Sequence, residues 1–98
     1  MIRVEIDAAA RAAAMEAQEF YAAQRAGLGD EFAAELDKAV ARIAAYPTVW
    51  PRFSARTRRY LMDRFPYSVV YRLYADTARV IAVFHQHRRP DYWRARLP

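Results

Sequence analysis

The sequence predicts an α+β fold of order β-α-α-β-β-β-(α), a helical hairpin packed on one face of a small, mostly antiparallel twisted sheet. Three observations carry this expectation. Phe32, Leu36, Val40 and Ile43 recur at helical spacing between Asp30 and Pro47. Two runs rich in β-branched and aromatic residues, 67–74 and 79–87, flank a short Ala75-Asp76-Thr77 turn. The chain has 98 residues, enough for one domain spanning 1–98 with two layers around a single core.

Taken in order, Ile2-Arg3-Val4-Glu5-Ile6 alternates apolar and charged residues as a half-buried strand does. Asp7 is placed to cap the helix that follows. Residues 8–26 are rich in Ala, Gln and Glu, and put Ala13, Ala17 and Phe20 on one stripe. Gly27-Leu28-Gly29 breaks that helix, and Asp30 offers a cap to the next. So short a connection makes the two helices antiparallel neighbours. Pro47 stops the second helix. Residues 47–57 read as a loop pinned by Trp50 and Phe53. The next strand is expected at 58–64, and Pro66, which has no N–H for a ladder, marks the bend after it. Pro90 opens a short terminal helix ending near Leu97.

Charge is segregated along the chain. Residues 1–49 hold five Lys/Arg against eight Asp/Glu, a balance of −3; residues 50–98 hold eleven Arg against three Asp, a balance of +8. Fifteen of the sixteen basic residues are Arg, Lys38 being the exception. A GC-rich genome accounts for Arg over Lys, since Ala is abundant too. It does not account for the segregation of sign, which implies an anionic partner. The absence of cysteine excludes disulfides and thiolate chemistry. No run approaches a membrane span, so a soluble, cytoplasmic protein without membrane contact is expected.

The densest chemistry follows the apolar strand: His85-Gln86-His87-Arg88-Arg89-Pro90-Asp91-Tyr92-Trp93-Arg94. Such groups clamp phosphate, stack on bases or anchor a protein interface. On a strand, His85 and His87 project to one face together with Ile81 and Val83. The His-x-His pair has no third ligand at a recognisable spacing, so no metal and no cofactor is expected. Packing, an interface and general acid–base work remain open for these imidazoles. Arg88, Arg89, Arg94 and Arg96 around Tyr92 and Trp93 suit nucleic acid and a protein hot spot equally, while Trp93 alternatively folds back to close the core. Arg56, Arg58, Arg59 and Arg64 form a second basic cluster, which joins the first in one positive face if the strand order allows. There is no glycine-rich phosphate loop, Ser-His-Asp ordering or convincing carboxylate pair. Asp63, Asp76 and Asp91 each sit where a turn, cap or ion pair explains them.

Together these segments resemble the RelE/ParE superfamily, the toxin components of bacterial type II toxin–antitoxin systems. The resemblance spans nearly the whole chain: Gly27-Leu28-Gly29-Asp30-Glu31-Phe32, Tyr46-Pro47, Arg59-Tyr60-Leu61, Phe65-Pro66-Tyr67-Ser68-Val69-Val70-Tyr71 and the stretch from His85 to Arg94. It implies a toxin held inactive, in a hetero-oligomer, by an antitoxin whose chain wraps over it. RelE-like members cut messenger RNA on the ribosome, whereas ParE-like members are not nucleases and trap DNA gyrase on broken DNA. An arginine of the RNA-cutting members falls at Ser68 here, and a second falls at Gln86. Tyr92, Arg88 and His87 land where such members have a tyrosine, a basic residue and, in some, a catalytic histidine. The pattern looks closer to the ParE-like branch, which implies a gyrase inhibitor that is not an enzyme. The surface for target or antitoxin is then Arg56, Arg58, Arg59, Arg64, His85, His87, Arg88, Arg89, Tyr92 and Trp93. The alternative is a ribosome-dependent mRNA endonuclease using Arg59, His87, Arg88 and Tyr92; a second alternative is a non-toxic nucleic-acid-binding domain.

Overall fold

The computed structural model describes residues 1–87. The elements are β1 (Arg3–Ile6), α1 (Ala8–Gln24), α2 (Leu28–Ala45), β2 (Arg58–Leu61), β3 (Tyr67–Leu73) and β4 (Thr77–His85). The sheet order is β1-β4-β3-β2, with β1 parallel to β4 and the other pairs antiparallel. The α+β expectation and its element order therefore hold, and the helix expected from Pro90 lies outside the described residues.

Valine and isoleucine of β1 face the helices while Arg3 and Glu5 face out, as the alternation requires. Asp7 stands at the N-cap of α1, yet its side chain makes no cap bond and instead accepts from Arg79 Nη2 at 2.6 Å. The buried stripe of α1 is Ala10, Ala14 and Ala17, continued four residues on by Tyr21. Phe20, expected on the stripe, is 56% exposed. The alanines set the phase of the helix, and at about 100° per residue Phe20 falls off their line while Tyr21 falls on it. Tyr21 stacks on Phe32 at 5.5 Å and meets Phe65 edge-on at 4.8 Å.

The interhelical turn depends on two glycines in different ways. Gly27 has φ +86°, a left-handed conformation that disfavours any side chain, and it occupies the N-cap of α2. Gly29 lies inside the first turn, where a Cβ would sit 2.9 Å from both Ala22 Cβ and the Gln18 carbonyl oxygen. The helix thus starts earlier than Asp30, which stands in its first turn and meets the positive end of the helix dipole instead of capping it. Phe32, Ala39 and Ile43 fill the core, with Leu36 partly buried against it.

Loop 47–57 is pinned as expected. Trp50 Nε1 donates to the Arg42 carbonyl at 3.3 Å, and its ring meets Tyr60 edge-on at 4.8 Å. Tyr71, fully buried on β3, donates its hydroxyl to the Pro47 carbonyl at 2.6 Å. β2 stops at Leu61 rather than running to residue 64. Asp63 turns back to Lys38 at 2.9 Å and Arg42 at 3.0 Å, and Arg64 turns to Glu31.

The β3–β4 ladder contains one irregularity. Val70 pairs with Ala82 and Tyr71 with Val80, so Ile81 has no partner and forms a bulge. Val80 and Val83 therefore both join the core under the helices, whereas Ile81, Ala82 and Phe84 join Val70 in a second cluster on the other face, beside Phe53.

Gly29→Ala should lower unfolding free energy by about 1–2 kcal/mol in urea titration, overpacking outweighing alanine's helix preference; an unchanged midpoint would remove the close-approach argument. Burial raises the Tyr71 pKa from 10.0 to about 12. The stability this group contributes is then complete below pH 10.0 and lost as pH rises through about 12. Tyr71→Phe should flatten the alkaline loss of stability over that window; identical pH profiles would refute the assignment.

Candidate functional site

The strand order decides which of the expected site residues meet. On β2, Arg58 pairs with Tyr71 and Arg59 with Val70. Arg58 Nη1 donates to the Trp50 carbonyl at 2.7 Å, and the Arg59 guanidinium lies 5.2 Å from the centroid of the Phe53 ring. Arg56 is exposed on the loop before β2. Arg64 is engaged elsewhere: it donates to Glu31 Oε1 at 2.5 Å and lies 5.8 Å from the Phe65 ring centroid. That bond to Arg64, supplemented by Arg25, holds the Glu31 carboxyl below its ordinary range. On the same side, hydrogen bonding from Lys38 and then the charge of Arg42 lower the Asp63 pKa.

β4 ends at His85, before His87. His87 is therefore not a strand residue, and its backbone N–H donates to His85 Nδ1 at 3.1 Å in the turn that follows. Their rings lie 5.5 Å apart. His85 pairs with Tyr67 and meets its ring edge-on at 5.3 Å, on the helix side of the sheet. The bulge puts Ile81 on the opposite face from Val83 and His85, so the expected row Ile81-Val83-His85-His87 does not form. Arg59 belongs to the far face with Val70, and its row crosses β3 about 10 Å along the strand from Tyr67. The joining of the two basic clusters in one positive face involves Arg88, Arg89, Arg94 and Arg96, which lie outside the described residues, as do Tyr92 and Trp93.

The middle of the far face is apolar. Ser68 is fully buried between Leu61 and Phe84 in the pairing register, and its Oγ has no hydrogen-bond partner among the described residues. Val70 and Ala82 beside it are also fully buried. A guanidinium at this position would stabilise anionic charge in a transition state; a buried hydroxyl supplies none of that. The described residues contain no group of three His, Cys, Asp or Glu able to hold a metal, and no helix long and apolar enough to cross a membrane.

Two arginines were not singled out by sequence: Arg52 and Arg72. Arg72 reads as the end of a strand and Arg52 as a loop residue; the pairing of β2 with β3 brings Arg72, and the Arg52–Arg58 bridge brings Arg52, beside Arg56 and Arg58.

Residues 4–90 match the family described as ParE toxin of type II toxin-antitoxin system, parDE. The chain belongs to this ParE toxin family. A solved structure, the chromosomal ParDE toxin–antitoxin system from P. aeruginosa, contains a chain of the same fold: TM-score 0.63 at 13% identity, covering 87% of this chain and 96% of that one. No curated protein matches. The RelE/ParE resemblance is thus resolved to the ParE side, and a ParE toxin of such a system has a cognate antitoxin as its partner.

Ser68→Ala in this ParE-family toxin should leave stability unchanged or raise it by about 1 kcal/mol, because it removes a buried hydroxyl that has no partner among the described residues. A decrease of that size in thermal unfolding would reveal a bond to Oγ.

Proposed function

We propose that this toxin inhibits DNA gyrase by binding, without cutting RNA, and is neutralised when its antitoxin covers the same molecule. Membership of the ParE family motivates the target. The observation that carries the non-enzymatic part is Ser68: the position of a charged group in RNA-cutting relatives is a buried hydroxyl in an apolar row. Of the nuclease set Arg59, His87, Arg88 and Tyr92, Arg59 lies with Val70 and Phe53 on the far face, whereas His85, the neighbour of His87, meets Tyr67 on the helix side. Cation–π and backbone contacts hold Arg58 and Arg59 still, which suits an interface, where ordered arginines and aromatic rings contribute most of the affinity.

His87 keeps a nuclease reading open. It is exposed beside His85, a position from which an imidazole can serve as a general acid or base. A pair of measurements separates the two. Purified toxin in excess over gyrase is expected to block supercoiling and accumulate cleaved DNA–gyrase complex, with no new codon-positioned transcript ends in expressing cells. Unhindered supercoiling together with such transcript ends would replace the gyrase reading with the nuclease.

A further inference from the structure

The depression between loop 47–57 and the paired strands β2 and β3 shares Arg56 and Arg58 with the expected partner surface and adds Arg52 and Arg72 to it. Its volume is about 390 Å³, and its wall is Arg52, Arg56, Thr57, Arg58, Arg72 and Leu73. Four arginines line it, with no acidic residue among the lining residues. None of the four makes an ion pair among the described residues, although Arg3, Arg25, Arg42, Arg64 and Arg79 all do. Two of them are tethered by carbonyls: Arg52 Nη1 donates to Ala55 at 3.1 Å and Arg58 Nη1 to Trp50 at 2.7 Å. Arg72 is steadied by the Tyr74 ring, 5.0 Å from its centroid. Each tether occupies only part of a five-donor fork. The remaining donors are held in place in a concavity that carries a surplus of positive charge.

We propose that this depression binds phosphate groups of a nucleic-acid backbone, giving the toxin a direct phosphodiester contact of its own. Fork-shaped guanidiniums match phosphate oxygens bidentately, and a cluster of them is stabilised by the anion it receives. A protein segment fits less well. The outer edge of β2 is already occupied, by the Arg52–Arg58 bridge and by Arg59 N–H donating to the Pro51 carbonyl at 2.9 Å, so an extended peptide cannot add a strand there. Leu73 is the one apolar side chain in the wall, short of the apolar anchor that protein hot spots use. The contact stands apart from gyrase inhibition, because it requires only the toxin and a nucleic acid.

Anisotropy titrations of a short labelled DNA duplex and a single-stranded RNA of equal length, between about 50 and 200 mM salt, test this directly. Arg56→Gln with Arg72→Gln is expected to weaken binding about tenfold or more and to reduce the log K against log salt slope by about one for each phosphate no longer held. Arg3→Gln with Arg11→Gln, equal in charge but remote, should change affinity by less than about threefold. The ratio of the DNA and RNA affinities identifies the backbone preferred. Equal weakening in both double variants would reduce the effect to net charge and overturn the site. So would a pair that keeps nucleic-acid affinity and loses antitoxin affinity, which would assign the depression to acidic side chains of the antitoxin. Should the double variant unfold, Arg56→Gln alone, an exposed residue with no side-chain bond among the described residues, carries the same comparison.

Discussion

Ile81 is one residue more than the ladder between β3 and β4 can pair, and the two faces of the sheet take their composition from it. Without the bulge, strict alternation after Val80 would send Ala82 and Phe84 under the helices and turn Val83 outward. With it, Val83 pairs with Val69 inside the aromatic and aliphatic core, and Phe84 packs beside Phe53 on the far side. β4 is central, flanked by β1 and β3. A phase change there is therefore felt across the sheet, and it brings His85 against Tyr67 rather than against the arginines of β2.

The same frame sorts the arginines into two kinds. Those facing the helical hairpin or β1 are matched: Arg64 and Arg25 to Glu31, Arg42 to Asp63, Arg79 to Glu5 and Asp7. These pairs are largely exposed, so each contributes little to stability, but those of Asp63 and Arg64 orient the segment that leads from β2 to Phe65. Arg52, Arg56, Arg58, Arg59 and Arg72 have no carboxylate partner among the described residues; rings and carbonyls hold all of them but Arg56. Among the described residues of the second half, the arginines without a carboxylate partner thus lie on β2, on the loop before it and at the end of β3, while Arg64 and Arg79 are matched by Glu31, Glu5 and Asp7.

Most of the architecture was legible because it rests on period and punctuation. Pro47, Pro66 and the glycines lie at real boundaries, and the spacing of Phe32, Leu36 and Ile43 is that of the buried face of α2. What escaped were properties of pairing. Phe20 and Tyr21 are equivalent to a propensity argument, and only the alanine stripe against the sheet chooses between them. No local signal marks Ile81 as unpaired, since the count of residues between turns is set by both strands together. The end of β2 at Leu61 follows from side chains leaving for distant partners, Asp63 to Lys38 above all. The site fared likewise: individual arginines were visible, but that Arg52 and Arg72 line one depression with Arg56 required the β2–β3 register and the Arg52–Arg58 bridge.

Ser68 is subject to the same pairing. It lies on β3 with strands on both sides and apolar neighbours Leu61 and Phe84 directly opposite. An arginine introduced there would have to carry its guanidinium past Phe84 to reach water, or leave a charge in an apolar row at a cost of several kcal/mol. The missing cation is consequently built into the packing of the far face rather than a surface change that one substitution reverses. The framework of this chain rests on the small residues of α1, the glycine turn and the ladder, none of which requires a charge at the centre of the sheet. What remains available for recognition is the rim, where the side chains are polar, partly tethered and able to meet a partner without disturbing the core.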